Sequence, residues 1–90
     1  MKQKSTYGNT EYEAVTIADG ITLSATKRVD TNGMNIACKI KKDDAEVAVM
    51  FLNTKTNRLQ FDFKKYSSLT TEEIATILSA TWTEVKDILD

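Results

Sequence analysis

The chain has 90 residues, 41% hydrophobic and 28% charged, with 12 basic and 13 acidic side chains for a net charge of −1. That length supports one domain with one modest core. The near-cancelling charges do not describe a globally basic nucleic-acid binder or an acidic DNA mimic. With no histidine and one cysteine, the sequence excludes a His general base, a Ser-His or Cys-His pair, a His-ligated metal, an internal disulfide and a thiolate cluster for zinc or iron–sulfur.

Residues 1–9 are polar and contain Gly8-Asn9; they read as a loose, flexible N-terminal tail ahead of a single domain over 10–90. No apolar stretch follows Lys2 and Lys4, and the longest apolar run, Val47 to Leu52, is far short of the roughly 18–20 residues that span a bilayer. With the lone cysteine, this leads to the expectation of a cytoplasmic protein with no membrane association.

From Thr10 to Lys65 the sequence alternates apolar and polar residues, with turn signals at short intervals and no proline. This is the pattern of consecutive hairpins. Ala18-Asp19-Gly20 reads as a three-residue loop with Gly20 left-handed, pairing Ile17 with Ile21 and Val15 with Leu23. Asn32-Gly33 reads as a two-residue type I′ turn, pairing Thr31 with Met34, Val29 with Ile36 and Ala25 with Ile40. A turn at Asp43-Asp44 pairs Lys42 with Ala45, Lys41 with Glu46, Ile40 with Val47, Cys38 with Val49 and Ile36 with Phe51. A three-residue loop at Thr54-Lys55-Thr56 pairs Phe51 with Leu59, Val49 with Phe61 and Val47 with Phe63. The expected strands lie near 11–17, 21–30, 34–42, 45–53 and 58–64. In these registers Val15, Ile17, Ile21, Leu23, Ala25, Val29, Met34, Ile36, Cys38, Ile40, Val47, Val49, Phe51, Leu59, Phe61 and Phe63 share one face.

Thr70-Thr71-Glu72-Glu73 is a helix start, with Thr70 and Glu73 at capping-box spacing. Ile74, Ile77, Leu78, Val85, Ile88 and Leu89 follow at helical spacing. Thr81-Trp82-Thr83-Glu84 holds a second box, and its threonines weaken a continuous helix. The sequence favours a helix near 71–79, a break at 80–81 and a second segment to 89, with one bent helix as the alternative. The fold class expected is α+β: a five-stranded antiparallel β-meander with one face covered by a C-terminal helix or two short helices. Trp82 is expected to be shielded by that packing.

Five features bear on function. Ile74-Ala75, Leu78-Ser79, Val85 and Ile88 are similar in spacing to the apolar frame of a helix-turn-helix. Ser79 stands where that motif's turn carries glycine, and Glu84 and Asp87 would oppose phosphate, so a structural role is the stronger reading. Arg28, Lys39, Lys41 and Lys64 share the uncovered sheet face, an arrangement that resembles single-strand-binding coactivator and Whirly domains in architecture, with no motif match. Single-strand binding needs exposed aromatics, and in these registers only Tyr12 is available; Glu46 and Asp62 sit among the cations. Met50 and Leu52, with Tyr12 across the sheet and Lys39 and Lys41 at the rim, form an apolar patch on the open face of the kind that binds a protein partner. The unpaired edges of the first and last strands could pair a second copy into a homodimer. Catalysis has no support: no side chains fall at a spacing that chemistry requires, no phosphate-cradling loop exists, and Cys38 falls on the covered face. The expectation is a small non-catalytic binding protein without metal or cofactor, a regulator or inhibitor acting through protein contact at Met50, Leu52, Tyr12, Lys39 and Lys41. The alternative is a single-stranded nucleic-acid-binding module using Arg28, Lys39, Lys41 and Lys64.

Overall fold

Side chains alternate strictly along a regular strand, so Tyr12 and Val15, or Val47 and Ala48, cannot share a face without a local irregularity. The computed structural model, which describes residues 1–5, 9–31 and 33–89, resolves that conflict with bulges. Strands β1 (Gln3–Ser5), β2 (Thr10–Ala18), β3 (Ile21–Asp30), β4 (Gly33–Lys42), β5 (Ala45–Asn53) and β6 (Arg58–Phe63) form one antiparallel sheet in sequence order. A short 3-10 turn at Tyr66–Ser68 leads to helix α1 (Thr71–Leu89). The α+β class, the five expected strands and the helical cover are all present.

The first correction is at the N-terminus. Gln3–Ser5, expected in a flexible tail, pair with β2 as an added edge strand; residues 6–8 of that tail lie outside the described residues.

In β2 the ladder shifts between Tyr12 and Val15, so Glu13 and Ala14 together oppose Ser24. This returns Tyr12 to the covered face opposite Ala25, where it is 7% exposed. A second shift leaves Ile17 unpaired and joins Ala18 to Ile21. The loop is therefore the two residues Asp19-Gly20, and not three. Both Ile17 and Ala18 pack against the core. In β5 Lys41 faces Glu46 as expected, but Ile40 then faces Ala48, with Val47 as the extra residue. Two residues against one is a bulge, and from that point every side chain of β5 changes face. Val47 and Ala48 are both buried. Met50 and Leu52 turn inward, opposite Cys38 and Ile36, while Val49 and Phe51 turn outward opposite Lys39 and Ala37.

The other registers shift in compensation. β3 and β4 pair Val29 with Met34, Ala25 with Cys38 and Ile21 with Lys42. This is a slip of two from the expected register, which keeps every side chain on its face. It matches all ten residues of β3 with all ten of β4 and brings the two adjacent turns together, the Asp43 amide donating to the Gly20 carbonyl at 2.9 Å. Gly33, at φ +93, is the first residue of β4 and not a loop residue, and residue 32 of the expected Asn32-Gly33 turn lies outside the described residues. Asp43 and Asp44 both have positive φ, 51 and 67, as a type I′ turn requires. The β5–β6 loop grows to four residues, Thr54 to Asn57, and pairs Leu52 with Leu59 and Met50 with Phe61. Because β5 has changed face, the longer loop is what keeps Phe61 and Phe63 on the covered side.

The core is Ile21, Leu23, Ala25, Ile36, Cys38, Ile40, Val47, Ala48 and Met50 from the sheet, with Tyr12 at its margin and Ile77, Val85 and Ile88 from α1. The capping box forms: the Thr70 amide donates to Glu73 Oε1 at 2.8 Å and the Glu73 amide to Thr70 Oγ1 at 3.1 Å. Lys42 Nζ adds an ion pair to Glu73 at 2.9 Å, and these contacts, led by the Thr70 hydrogen bond, hold the Glu73 carboxyl below its ordinary range. The helix then runs unbroken. The expected break at 80–81, the second capping box and the helix-turn-helix frame are all replaced by one 19-residue helix. Thr81 lies on its buried stripe, 1% exposed, and Thr83 Oγ1 donates to the Ser79 carbonyl at 3.0 Å. Packing of the apolar stripe outweighs the weak helix propensity of threonine. Trp82 falls outside that stripe and is 48% exposed, which corrects the expectation that it is shielded.

Candidate functional site

The open face of the sheet is organised in rows that cross β3 to β6. One row is Thr26, Ala37, Phe51 and Gln60; beside it runs Arg28, Asn35, Asn53 and Arg58; on the other side runs Ser24, Lys39, Val49 and Asp62. The middle row carries the only large aromatic among these positions, and Phe51 is 49% exposed. Its neighbours Ala37 and Thr26 are small, so the ring stands beside a hollow of about 280 Å³ lined by those residues with Arg28, Arg58 and Gln60. A second hollow, of about 250 Å³, continues across Thr26 and Ala37 toward Ser24, Lys39 and Glu11. Together they make a shallow trough whose floor is the small side chains at mid-sheet.

The polar row is held in place from within. Asn53 Nδ2 donates to Asn35 Oδ1 at 2.7 Å, and Asn53 Oδ1 accepts from the amides of Lys55 and Thr56, each at 3.0 Å. Those bonds fix the rim between the two arginines, and a fixed rim loses less entropy on binding. Arg28 Nε lies 3.0 Å from Asp30 Oδ2.

At the far end of the face the cations are interleaved with acids. Lys64 Nζ donates to Glu46 Oε2 at 2.7 Å, and this bond, with the charges of Lys64, Lys39 and Lys41, holds the Glu46 carboxyl below its ordinary range. Gln60 Nε2 donates to Asp62 Oδ2 at 2.8 Å. The result is a mixed-charge margin and not a continuous phosphate track.

The expected site residues divide accordingly. Lys39, Lys41 and Arg28 stand on the open face, exposed, and Lys64 reaches it through Glu46. Met50 and Tyr12 do not: they are core residues, 2% and 7% exposed, and Leu52 is half-buried on the same covered side. The expected apolar patch therefore does not form, because the bulge at Val47 turns Met50 and Leu52 inward and the bulge at Glu13-Ala14 turns Tyr12 inward. Phe51, Arg58, Asn35, Asn53 and Gln60 take its place, none of them among the expected contacts. One signal in the sequence marks the true register. It places Asn35 opposite Asn53, amide against amide, where the straight register places Asn35 against Leu52.

Cys38 is buried, and loss of hydration pushes its thiol up to about 12. Among the described residues no group of three or more His, Cys, Asp or Glu side chains comes together to hold a metal ion, and no helix is long and apolar enough to cross a membrane. No protein-family model, curated protein or solved structure matches the chain.

Proposed function

We propose that the protein is a small non-catalytic contact protein, a regulator or inhibitor that binds another protein through the open sheet face centred on Phe51. The observation that carries this reading is a half-exposed phenylalanine on the open face, with only the small Ala37 and the buried Val49 as apolar neighbours there, beside a row that holds two arginines and a pre-ordered amide pair. Aromatic and arginine side chains at the centre of a patch, ringed by polar groups, are where binding energy concentrates in protein interfaces. The partner that suits this surface offers an apolar or aromatic side chain to the hollow and carboxylates to Arg28 and Arg58.

The outward ring of Phe51 also favours a second reading, a single-stranded nucleic acid stacking on Phe51 with Arg28, Arg58 and Lys39 on its phosphates. Glu46, Asp62 and Asp30 among the cations weigh against it.

The two readings separate in one experiment. Binding partners are captured from the native host by the wild-type protein and by Phe51→Asp, and labelled oligonucleotides are titrated in parallel between about 50 and 200 mM salt. A protein captured by the wild type, lost with Phe51→Asp and retained across the salt range supports the first reading. Oligonucleotide binding that falls steeply with salt and disappears with Lys39→Glu supports the second. A folded Phe51→Asp variant with unchanged partners removes this face from both.

A further inference from the structure

The geometry points to a second interaction surface: the free edge of β6, built to pair antiparallel with the same edge of a second copy of this chain. The two edges of the sheet are unequal. On one side β1 is three residues long and irregular in register, a short, broken edge of the kind that discourages further pairing. On the other side β6 runs six residues with no bulge in its pairing to β5, and among the described residues no other strand covers its outer edge.

The ladder fixes which groups are free. The Lys64 amide donates to the Val47 carbonyl at 2.8 Å, so residues 64, 62, 60 and 58 direct their backbone groups toward β5. In an antiparallel pair the intervening residues then point the other way, which leaves the amides and carbonyls of Leu59, Phe61 and Phe63 at the open edge.

Side chains select the register. Pairing must join odd residues to odd, or the faces of the two sheets would not continue. With Gln60 on the two-fold axis, Arg58 of each copy faces Asp62 of the other on the open face, and Leu59 faces Phe61 on the covered face. Shifting the axis to Phe61 sets Arg58 against Lys64 and loses that complementarity. The favoured register is isologous, so one strand satisfies both sides and the assembly closes as a dimer. It also joins exposed apolar surface: Leu59 is 55% exposed and Phe61 and Phe63 are half-buried. On the helix, Glu84 and Asp87 reach the Met1 ammonium on the β1 side, so the opposite flank, with Leu78 and Trp82, is turned toward β6. Phe51 neighbours Gln60 in its row; the two Phe51 rings of the dimer therefore stand about 14 Å apart, three strand spacings, on one continuous face.

This inference stands apart from the functional reading, and its test needs no partner. Sedimentation equilibrium from low micromolar to near-millimolar protein is expected to give a monomer–dimer equilibrium. Arg58→Asp and Asp62→Arg are each expected to weaken it at least tenfold, and the double swap Arg58→Asp/Asp62→Arg to restore it. Leu59→Pro removes an amide that takes no part in the β5–β6 ladder, a position that edge strands tolerate; with circular dichroism unchanged, it is expected to be monomeric. A wild-type protein that stays monomeric throughout, or a dimer indifferent to Leu59→Pro, overturns the proposal. A double swap no better than the single variants overturns the register.

Discussion

Met50 and Phe51 are adjacent, and the bulge at Val47 decides which of them belongs to the core. Met50 is 2% exposed among Cys38, Phe61 and the helix-facing residues, whereas Phe51 is 49% exposed on the open face. Met50→Ala deletes three heavy atoms from a packed interior and leaves a cavity that the sheet backbone cannot close, a loss of about 3 kcal/mol. For a domain of this size that corresponds to a fall of about 12–24 °C in Tm. Phe51→Ala removes a ring that already meets water on one side, and costs about 1 kcal/mol. Urea unfolding followed by far-ultraviolet circular dichroism compares the two directly, because both variants expose nearly the same surface on unfolding and share one m value. An unbulged strand reverses the order. If Phe51→Ala is the more damaging substitution, β5 runs straight, Met50 and Leu52 face outward, and both the trough beside Phe51 and the function built on it are wrong.

Two further outcomes follow from the core. Thr81 Oγ1 is buried without a hydrogen-bond partner among the described residues, so Thr81→Val is expected to stabilise the fold by about 1 kcal/mol in the same denaturation assay; a loss of stability would mean the hydroxyl is satisfied. Burial pushes the Cys38 thiol up to about 12 in the folded chain, against about 8.5 for the thiol of an unfolded chain. Its stabilising share is therefore complete below the lower value and declines as pH rises toward the higher one. Cys38→Ala is expected to flatten the stability–pH curve across that window, and an unchanged slope would contradict the burial of the thiol.

Much of the fold was legible because alternation, turn residues and helix caps agree. Asp43-Asp44, Thr70 with Glu73, and the apolar–polar alternation of β3 and β4 each carry a local signal strong enough to stand alone. The faces of β2 and β5 were not legible from alternation. Val47 to Leu52 is an unbroken apolar run, and such a run has no period, so either face assignment satisfies it equally. A single extra residue then inverts everything downstream. The Phe61 and Phe63 assignment survived only because the loop at 54–57 is also one residue longer than expected, and two inversions restore the original face. Tyr12 shows the same effect in β2. The open face divides for this reason: Lys39, Lys41 and Arg28 lie on strands without internal bulges and keep the expected face, whereas Phe51, Met50 and Leu52 lie beyond a bulge and exchange faces. The like-with-like pairing of Asn35 and Asn53 is the residue-level clue that selects the bulged register over the straight one.

The exposure of Trp82 has a different origin, in dimensions. Six strands at a spacing of about 4.8 Å give a sheet about 24 Å across between its outer strands, and one helix with its side chains is about 10 Å wide. A single helix cannot cover such a sheet. Here α1 seats over β2 and β4, pinned by Lys42 to Glu73 near its start and by the Met1 ammonium to Asp87 near its end. The strip above β6 is left to its own side chains. Phe61 and Phe63 stack at 5.1 Å and Tyr66 meets Phe63 edge-on at 5.9 Å, so the aromatics cover one another in place of a second helix. What they leave uncovered, Leu59 with Leu78 and Trp82 on the helix flank, follows from putting six strands under one helix. The same geometry sets that apolar strip beside the one long free edge of the sheet. A surface that is apolar along its length and open in its hydrogen-bond ladder at the same edge gains from a second strand on both counts, and β6 carries Arg58 and Asp62 at the spacing that makes a second β6 that strand.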